Sequence, residues 1–155
     1  MIKHLSSKLD YLNMEEFSCA LAEFLKFIEI SLYWGDKETL FLPCGPTIDD
    51  IWHQYILETK DYFDLCEALK PNSYLHHSGL SFNQYRKIAS KDSMKIWEED
   101  FSVLSSYYRN FGDFDADKIQ HWPVATHLMK TFGISIERLN QILSDMVKEN
   151  INDKP

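Results

Sequence analysis

Apolar residues between Met14 and Tyr33 recur at spacings of three, four and seven, which is the period of one face of an α-helix. The residues that follow this period are Phe17, Leu21, Phe24, Leu25, Ile28 and Leu32. The pattern predicts a long helix that packs one face into a hydrophobic core. Glu23, Lys26 and Glu29 interrupt the same stretch, so it is too polar to predict a membrane span.

The helical period returns in later parts of the chain. We expect helices over residues 47–69, 81–88, 93–111 and 124–131, and a C-terminal helix capped by Ser135. The helix after Pro46 can be capped by Thr47 or Asp49, and a short extended piece is expected at 39–42 in the loop before it. No alternation typical of strands has a useful length. The sequence therefore predicts an all-α fold, a compact single-domain bundle of five to seven helices.

The chain length and its ends set the expected domain organisation. At 155 residues the chain has the size of one compact domain, which we expect over residues 1–149. The polar residues 150–155 are expected to form a disordered tail.

Charge and cysteine usage limit the partners and the compartment. The formal net charge of -8 repels phosphate backbones and anionic lipids, so we expect neither a nucleic-acid nor a membrane partner. Cys19, Cys44 and Cys66 are odd in number and widely spaced, which does not fit a disulfide framework. The N-terminus has no apolar segment of the signal-peptide type. These features predict a cytoplasmic protein.

Residues that bind metals or move protons are concentrated between Pro46 and His77. Asp49 lies four positions before His53, one turn earlier on the predicted helix. A carboxylate in this position can hydrogen-bond one ring nitrogen of the histidine and leave the other nitrogen free for a metal or a proton. The pair therefore forms a candidate site at the start of this helix.

The adjacent histidines His76 and His77 follow in an irregular segment that can fold back against the helix. The candidate ligands are His53, His76, His77 and Asp49, a set suited to zinc or another divalent transition metal. Cys66 is left out of this set. On a continuous helix it lies roughly 20 Å along the axis from His53, too far to share one ion.

Three functional hypotheses stay open at this point, and the sequence assigns no reaction. The first is a metal-binding helical domain, structural or hydrolytic. The second is a non-enzymatic interaction module with structural histidines, which contacts an unknown protein partner or forms a homo-oligomer through the C-terminal helix. The third is a metal-free enzyme that uses His53 with Asp49 as a general base pair near Tyr62, the three candidate catalytic residues, with no nucleophile or substrate identified. A small molecule also stays open as the partner.

The segment IDDIWHQYILETKDYFDLC and the later LHH resemble the cysteine/histidine-containing N-terminal domain of glycine-rich domain-containing proteins, in its stand-alone bacterial form. The matching positions are Asp49, Trp52, His53, Ile56, Leu57, Thr59, Tyr62, Cys66, His76 and His77. Tyr55 stands where the family has a second histidine, and the glycine that precedes the family's His-His pair is missing. The resemblance implies a shared motif and no particular reaction.

Overall fold

A computed structural model describes residues 8–34, 42–77, 87 and 93–152. In this part of the chain the regular structure is entirely helical, which confirms the predicted all-α class. The helices are α1 (Met14–Trp34), α2 (Pro46–Ile56), α3 (Thr59–Leu69), α4 (Ser93–Phe111), α5 (Ala116–Ile119), α6 (Pro123–Phe132) and α7 (Ile136–Asn152). The expected helix at 81–88, except Lys87, and the extended piece at 39–42, except Leu42, lie outside the described residues.

The chain divides into two compact units, Met1–Gly79 and Leu80–Pro155. The single domain expected over residues 1–149 stays a prediction. Helix α7 continues through Asn152, and residues 153–155 of the expected tail lie outside the described part. No helix in the described ranges combines the length and the apolarity that a membrane crossing requires.

Helix α1 is the central element of the first unit. Its N-terminus is closed by a reciprocal cap, in which the Asn13 side chain accepts from the backbone of Glu15 and Glu16 at 2.9 Å and Glu16 accepts from the Asn13 backbone. The predicted apolar face is largely buried, including Phe24 and Ile28, and α1 packs against both α2 and α3. The predicted helix over Met14–Tyr33 is therefore confirmed.

The prediction of one continuous helix over residues 47–69 is wrong, because the structure has two helices in this range. Pro46 is the first residue of α2 instead of lying just outside it, and no side chain caps α2, which follows Gly45 in extended conformation. The chain leaves the helical path at Glu58, whose ψ is 63°, and α3 begins at Thr59. Across the break, the buried Trp52 and Tyr62 side chains lie close enough to hydrogen-bond at 3.0 Å. In a straight helix these two residues would be about 15 Å apart along the axis.

The second unit is built from α4 to α7, with α4 packed against α6 and α7. Its core contains Tyr107, which stacks on Phe114 at a centroid distance of 4.0 Å and meets the edge of Trp122 at 4.9 Å. The side chain of Asn140 accepts from the Phe114 amide at 2.9 Å and donates to the Phe114 carbonyl at 2.8 Å. These two bonds attach the segment before α5 to helix α7.

Glycine and serine define the turn between α6 and α7. Gly133 ends α6 with a positive φ of 62°, a conformation in which a residue without Cβ is unstrained. The Ser135 hydroxyl then accepts from the Arg138 amide at 3.3 Å, as expected for a helix cap. The predicted start of the C-terminal helix is thus confirmed.

Candidate metal centre

The first turn of α2 positions Asp49 and His53 next to each other. The Asp49 amide donates to the Gly45 carbonyl at 3.0 Å, which closes the turn. Nδ1 of His53 lies 2.8 Å from the Asp49 carbonyl oxygen and 3.4 Å from Oδ2 of the Asp49 carboxylate. Since a carbonyl oxygen only accepts, Nδ1 of His53 carries a hydrogen. A neutral His53 ring therefore has its free lone pair on Nε2.

The segment after α3 brings His77 to the same place. Helix α3 ends at Leu69, and Asn72 adopts a positive φ of 60° as the chain turns back. The Glu67 side chain stabilises the turn by accepting from the Asn72 amide at 2.8 Å. His77 then lies with Nε2 2.9 Å from Oδ1 of Asp49, and its ring centroid is 4.4 Å from that of His53.

Asp49, His53 and His77 form a compact group of metal-type donors. One ligand atom from each residue can be chosen so that all three lie within 4.8 Å of one another. Donors that share a zinc ion sit about 2.0–2.2 Å from it, so they lie about 3.4 Å apart in a tetrahedral arrangement. The 4.8 Å limit of the group thus exceeds this donor spacing by about 1.4 Å.

The group is open to solvent on one side. The His53 side chain is 53% exposed and that of Asp49 is 41% exposed, while His77 is 17% exposed. An ion held here would keep contact with water, in contrast to a structural zinc enclosed by four protein ligands. The geometry thus favours an open coordination position.

The remaining predicted site residues lie apart from this group. His76 is exposed, and its ring packs on Tyr74 at 4.9 Å. Of the two adjacent histidines, the structure brings only His77 into the group. Cys66 is fully buried and also stays outside the group, although the continuous helix that led to its exclusion is not present.

Tyr62, a candidate catalytic residue in the sequence, is buried, and within the described residues its hydroxyl bonds to neither Asp49 nor the histidines. Its hydroxyl accepts from Nε1 of Trp52 at 3.0 Å and donates to the Leu75 carbonyl at 2.7 Å. Burial is the largest cause that raises the Tyr62 pKa above its ordinary value, and the nearby Cys66 adds to it. The hydroxyl is therefore neutral at physiological pH.

Cys44 is a neighbour of the site that the sequence reasoning missed. Its Sγ lies 3.8 Å from Oδ1 of Asp49, the same oxygen that contacts His77. Burial, followed by the negative charge of Asp49, raises the pKa of the Cys44 thiol to about 12. The sequence signal that could have indicated this contact is the position of Cys44, five residues before Asp49 and just ahead of the helix start.

The neighbouring carboxylate, Asp50, is engaged by a different residue. The Tyr11 hydroxyl donates to Oδ2 of Asp50 at 2.6 Å. Burial and then this hydrogen bond raise the pKa of Tyr11 to about 12. The contact attaches the segment before α1 to α2, next to the metal-type donors.

Comparisons with family models, with curated proteins and with solved structures found no match to this chain. The functional argument therefore rests on the geometry of the residues themselves.

Proposed function

We propose that the protein binds a divalent transition metal ion through Asp49, His53 and His77, with zinc as the first candidate. The observation that carries the proposal is the convergence of three donor atoms within 4.8 Å of one another. Two imidazoles and one carboxylate suit zinc and other first-row transition metals better than calcium or magnesium. His76 is not included among the proposed ligands.

The hydrogen bonds of the metal-free site are compatible with this role. His53 has its lone pair on Nε2, and Nε2 of His77 shares a proton with Asp49. Coordination through Nε2 of His77 would require the ring hydrogen to move to Nδ1, because a coordinating imidazole nitrogen must carry a free lone pair. With three protein ligands and a partly exposed site, a bound zinc would retain a water ligand and increase its acidity, as in hydrolytic zinc sites.

The test is metal analysis of protein produced without a histidine tag and stripped with a chelator. We expect one equivalent of zinc to bind in calorimetric titration, and elemental analysis to recover the same amount after gel filtration. His53→Ala and His77→Ala should each abolish stoichiometric binding, whereas His76→Ala should retain it. Absence of stoichiometric metal in the wild-type protein would refute the proposal.

A second candidate function is a protein-interaction module in which the same histidines are structural. The supporting observation is that Asp49 bonds to both His53 and His77, so each of these polar groups has a hydrogen-bond partner within the protein. Under this hypothesis His77→Ala lowers the unfolding free energy equally with and without zinc. Self-association through α7 would then appear as a concentration-dependent mass in analytical ultracentrifugation.

The family relation and the cytoplasmic location that the sequence predicts remain proposals. We propose that the chain is related to the cysteine/histidine-containing domain of glycine-rich domain-containing proteins, on the residues that match its motif. We also propose a cytoplasmic location, where the cysteines would remain reduced.

A further inference from the structure

The buried hydroxyl of Tyr62 connects the two segments that carry the metal-type donors. It accepts a hydrogen bond from Trp52 on α2 at 3.0 Å and donates one to the carbonyl of Leu75 at 2.7 Å. It also contacts the buried thiol of Cys66 on its own helix. A tyrosine hydroxyl has a single hydrogen to donate, and here that hydrogen is directed at Leu75.

Both hydrogen-bond partners are close in sequence to proposed ligands. Trp52 directly precedes His53, and its ring meets the edge of the His77 ring at a centroid distance of 4.6 Å. Leu75 lies two residues before His77 in a segment without helical structure. Such a segment has no helical hydrogen bonds of its own, so its position depends on contacts of this kind.

We infer that Tyr62 is a positioning residue that holds His77 against Asp49. The inference rests on the proposed metal site and adds a residue that orders one of its ligands, His77, in the absence of the ion. Without the hydroxyl, the carbonyl of Leu75 and Nε1 of Trp52 would each lose a buried partner. The backbone around Leu75 would then shift, and His77 would sample positions away from Asp49.

Tyr62→Phe and Tyr55→Phe make a matched pair of variants for the test. Tyr55 lies in the same aromatic cluster, with its ring 6.0 Å from that of Tyr62 in an edge-on contact. Removing its hydroxyl leaves the Trp52–Tyr62–Leu75 hydrogen bonds unchanged. The two variants therefore differ in the link to His77 while the chemical change is the same.

Zinc affinity is measured by competition with a chromophoric chelator, well below the unfolding midpoint of each variant. We expect Tyr62→Phe to bind zinc at least about tenfold more weakly than wild type, the scale typical of groups that orient a metal ligand. Tyr55→Phe should bind as wild type. If the wild-type protein binds zinc and Tyr62→Phe binds it equally well, the inference about Tyr62 fails while the proposed metal site stands. If the wild-type protein binds no zinc, the proposed function fails.

A second readout needs no metal and reports the position of His77 directly. Long-range ¹H–¹⁵N spectra of the metal-free wild type should show the tautomer of His77 with its hydrogen on Nε2. In Tyr62→Phe the other tautomer should gain population, and an unchanged spectrum overturns the inference. Should Tyr62→Phe fail to fold, Trp52→Phe keeps an aromatic ring beside His77 and removes the other bond to the hydroxyl. Because that variant keeps the Tyr62–Leu75 bond, the His77 tautomer should stay close to wild type in it, and a shift as large as a lost Leu75 link would give assigns the positioning to Trp52 and overturns the inference.

Discussion

Nε2 of His77 lies 2.9 Å from Oδ1 of Asp49, although the two residues are 28 positions apart in the chain. The contact joins an irregular segment to the first turn of α2. It also distinguishes two adjacent histidines that the sequence alone treats as equivalent. His77 points at the carboxylate, whereas His76 packs on Tyr74.

The first prediction uses this pair of histidines as its own control. His77→Ala should weaken zinc binding by more than about 100-fold, because it removes a ligand and even supporting groups contribute 10–100-fold. His76→Ala should bind with wild-type affinity, since its ring lies outside the donor group. Isothermal titration of both variants checks the difference. Equal losses in the two variants would show that the geometry of the group is incorrect.

The second prediction concerns the donor set around a bound ion. Cys44 lies near Asp49 but outside the compact group, so we expect no metal–sulfur bond. The cobalt-substituted protein should show visible d–d bands without a thiolate charge-transfer band in the near ultraviolet. Cys44→Ser should bind cobalt within about threefold of wild type, as expected for a substitution that removes no ligand. A charge-transfer band that disappears in Cys44→Ser would instead make Cys44 a ligand.

The third prediction is a loss of stability of the metal-free protein at alkaline pH. The Cys44 thiol has an ordinary pKa of 9.0 and a pKa of about 12 in the fold, chiefly because it is buried. The folded state therefore binds more protons than the unfolded chain between these values. The unfolding free energy should fall as pH rises through this window, and be unaffected by Cys44 below it.

Denaturant unfolding between pH 8 and pH 11 measures this effect, with Cys44→Ser as the control. In Cys44→Ser the unfolding free energy should fall less steeply with pH than in wild type. The decline that remains in the variant comes from other groups such as Tyr11, whose pKa is also raised to about 12. Asp49→Asn removes the negative charge that, after burial, raises the pKa of Cys44. In this variant the Cys44 thiol should therefore react faster with a disulfide reagent at pH 8. Identical alkaline slopes in wild type and Cys44→Ser would contradict the assignment.

The fourth prediction tests the second unit. Asn140→Ala removes the partner of both the amide and the carbonyl of Phe114, a residue that is 2% exposed. We expect a loss of about 1–3 kcal/mol in unfolding free energy, the cost of leaving buried polar groups unpaired. Asn110→Ala, which removes an exposed bond to the Ser106 carbonyl, should change stability by about 0.5 kcal/mol or less. Thermal or denaturant unfolding compares the two.

Much of the helical structure could be predicted because its signals are local. The apolar period defined α1, and the bounds of α4 agree with the predicted helix over 93–111. Ser135 marked the start of α7 through its hydroxyl, a cap that depends only on neighbouring residues. Asp49 and His53 lie one helical turn apart as expected, but Nδ1 of His53 bonds to the Asp49 backbone carbonyl at 2.8 Å, whereas the expected partner was the Asp49 carboxylate.

The break between α2 and α3 could not be predicted, because no local signal marks it. Leu57 and Glu58 are both good helix formers, and the apolar period continues on either side of them. The break is favoured by burial of Trp52 and Tyr62 in contact with each other, a tertiary effect. The same limit applies to Cys44 and His77, whose contacts with Asp49 depend on how distant segments fold together.

The break after Ile56 also allows residues of α2 to contact residues that follow closely in the chain. The Trp52–Tyr62 hydrogen bond spans ten positions, and the Asp49–His77 contact spans 28. Chain-entropy cost grows slowly with loop length, so closing 28 positions costs only about 1 kcal/mol more than closing ten. The three donors thus all come from one stretch of chain, Pro46 to His77, within the first unit.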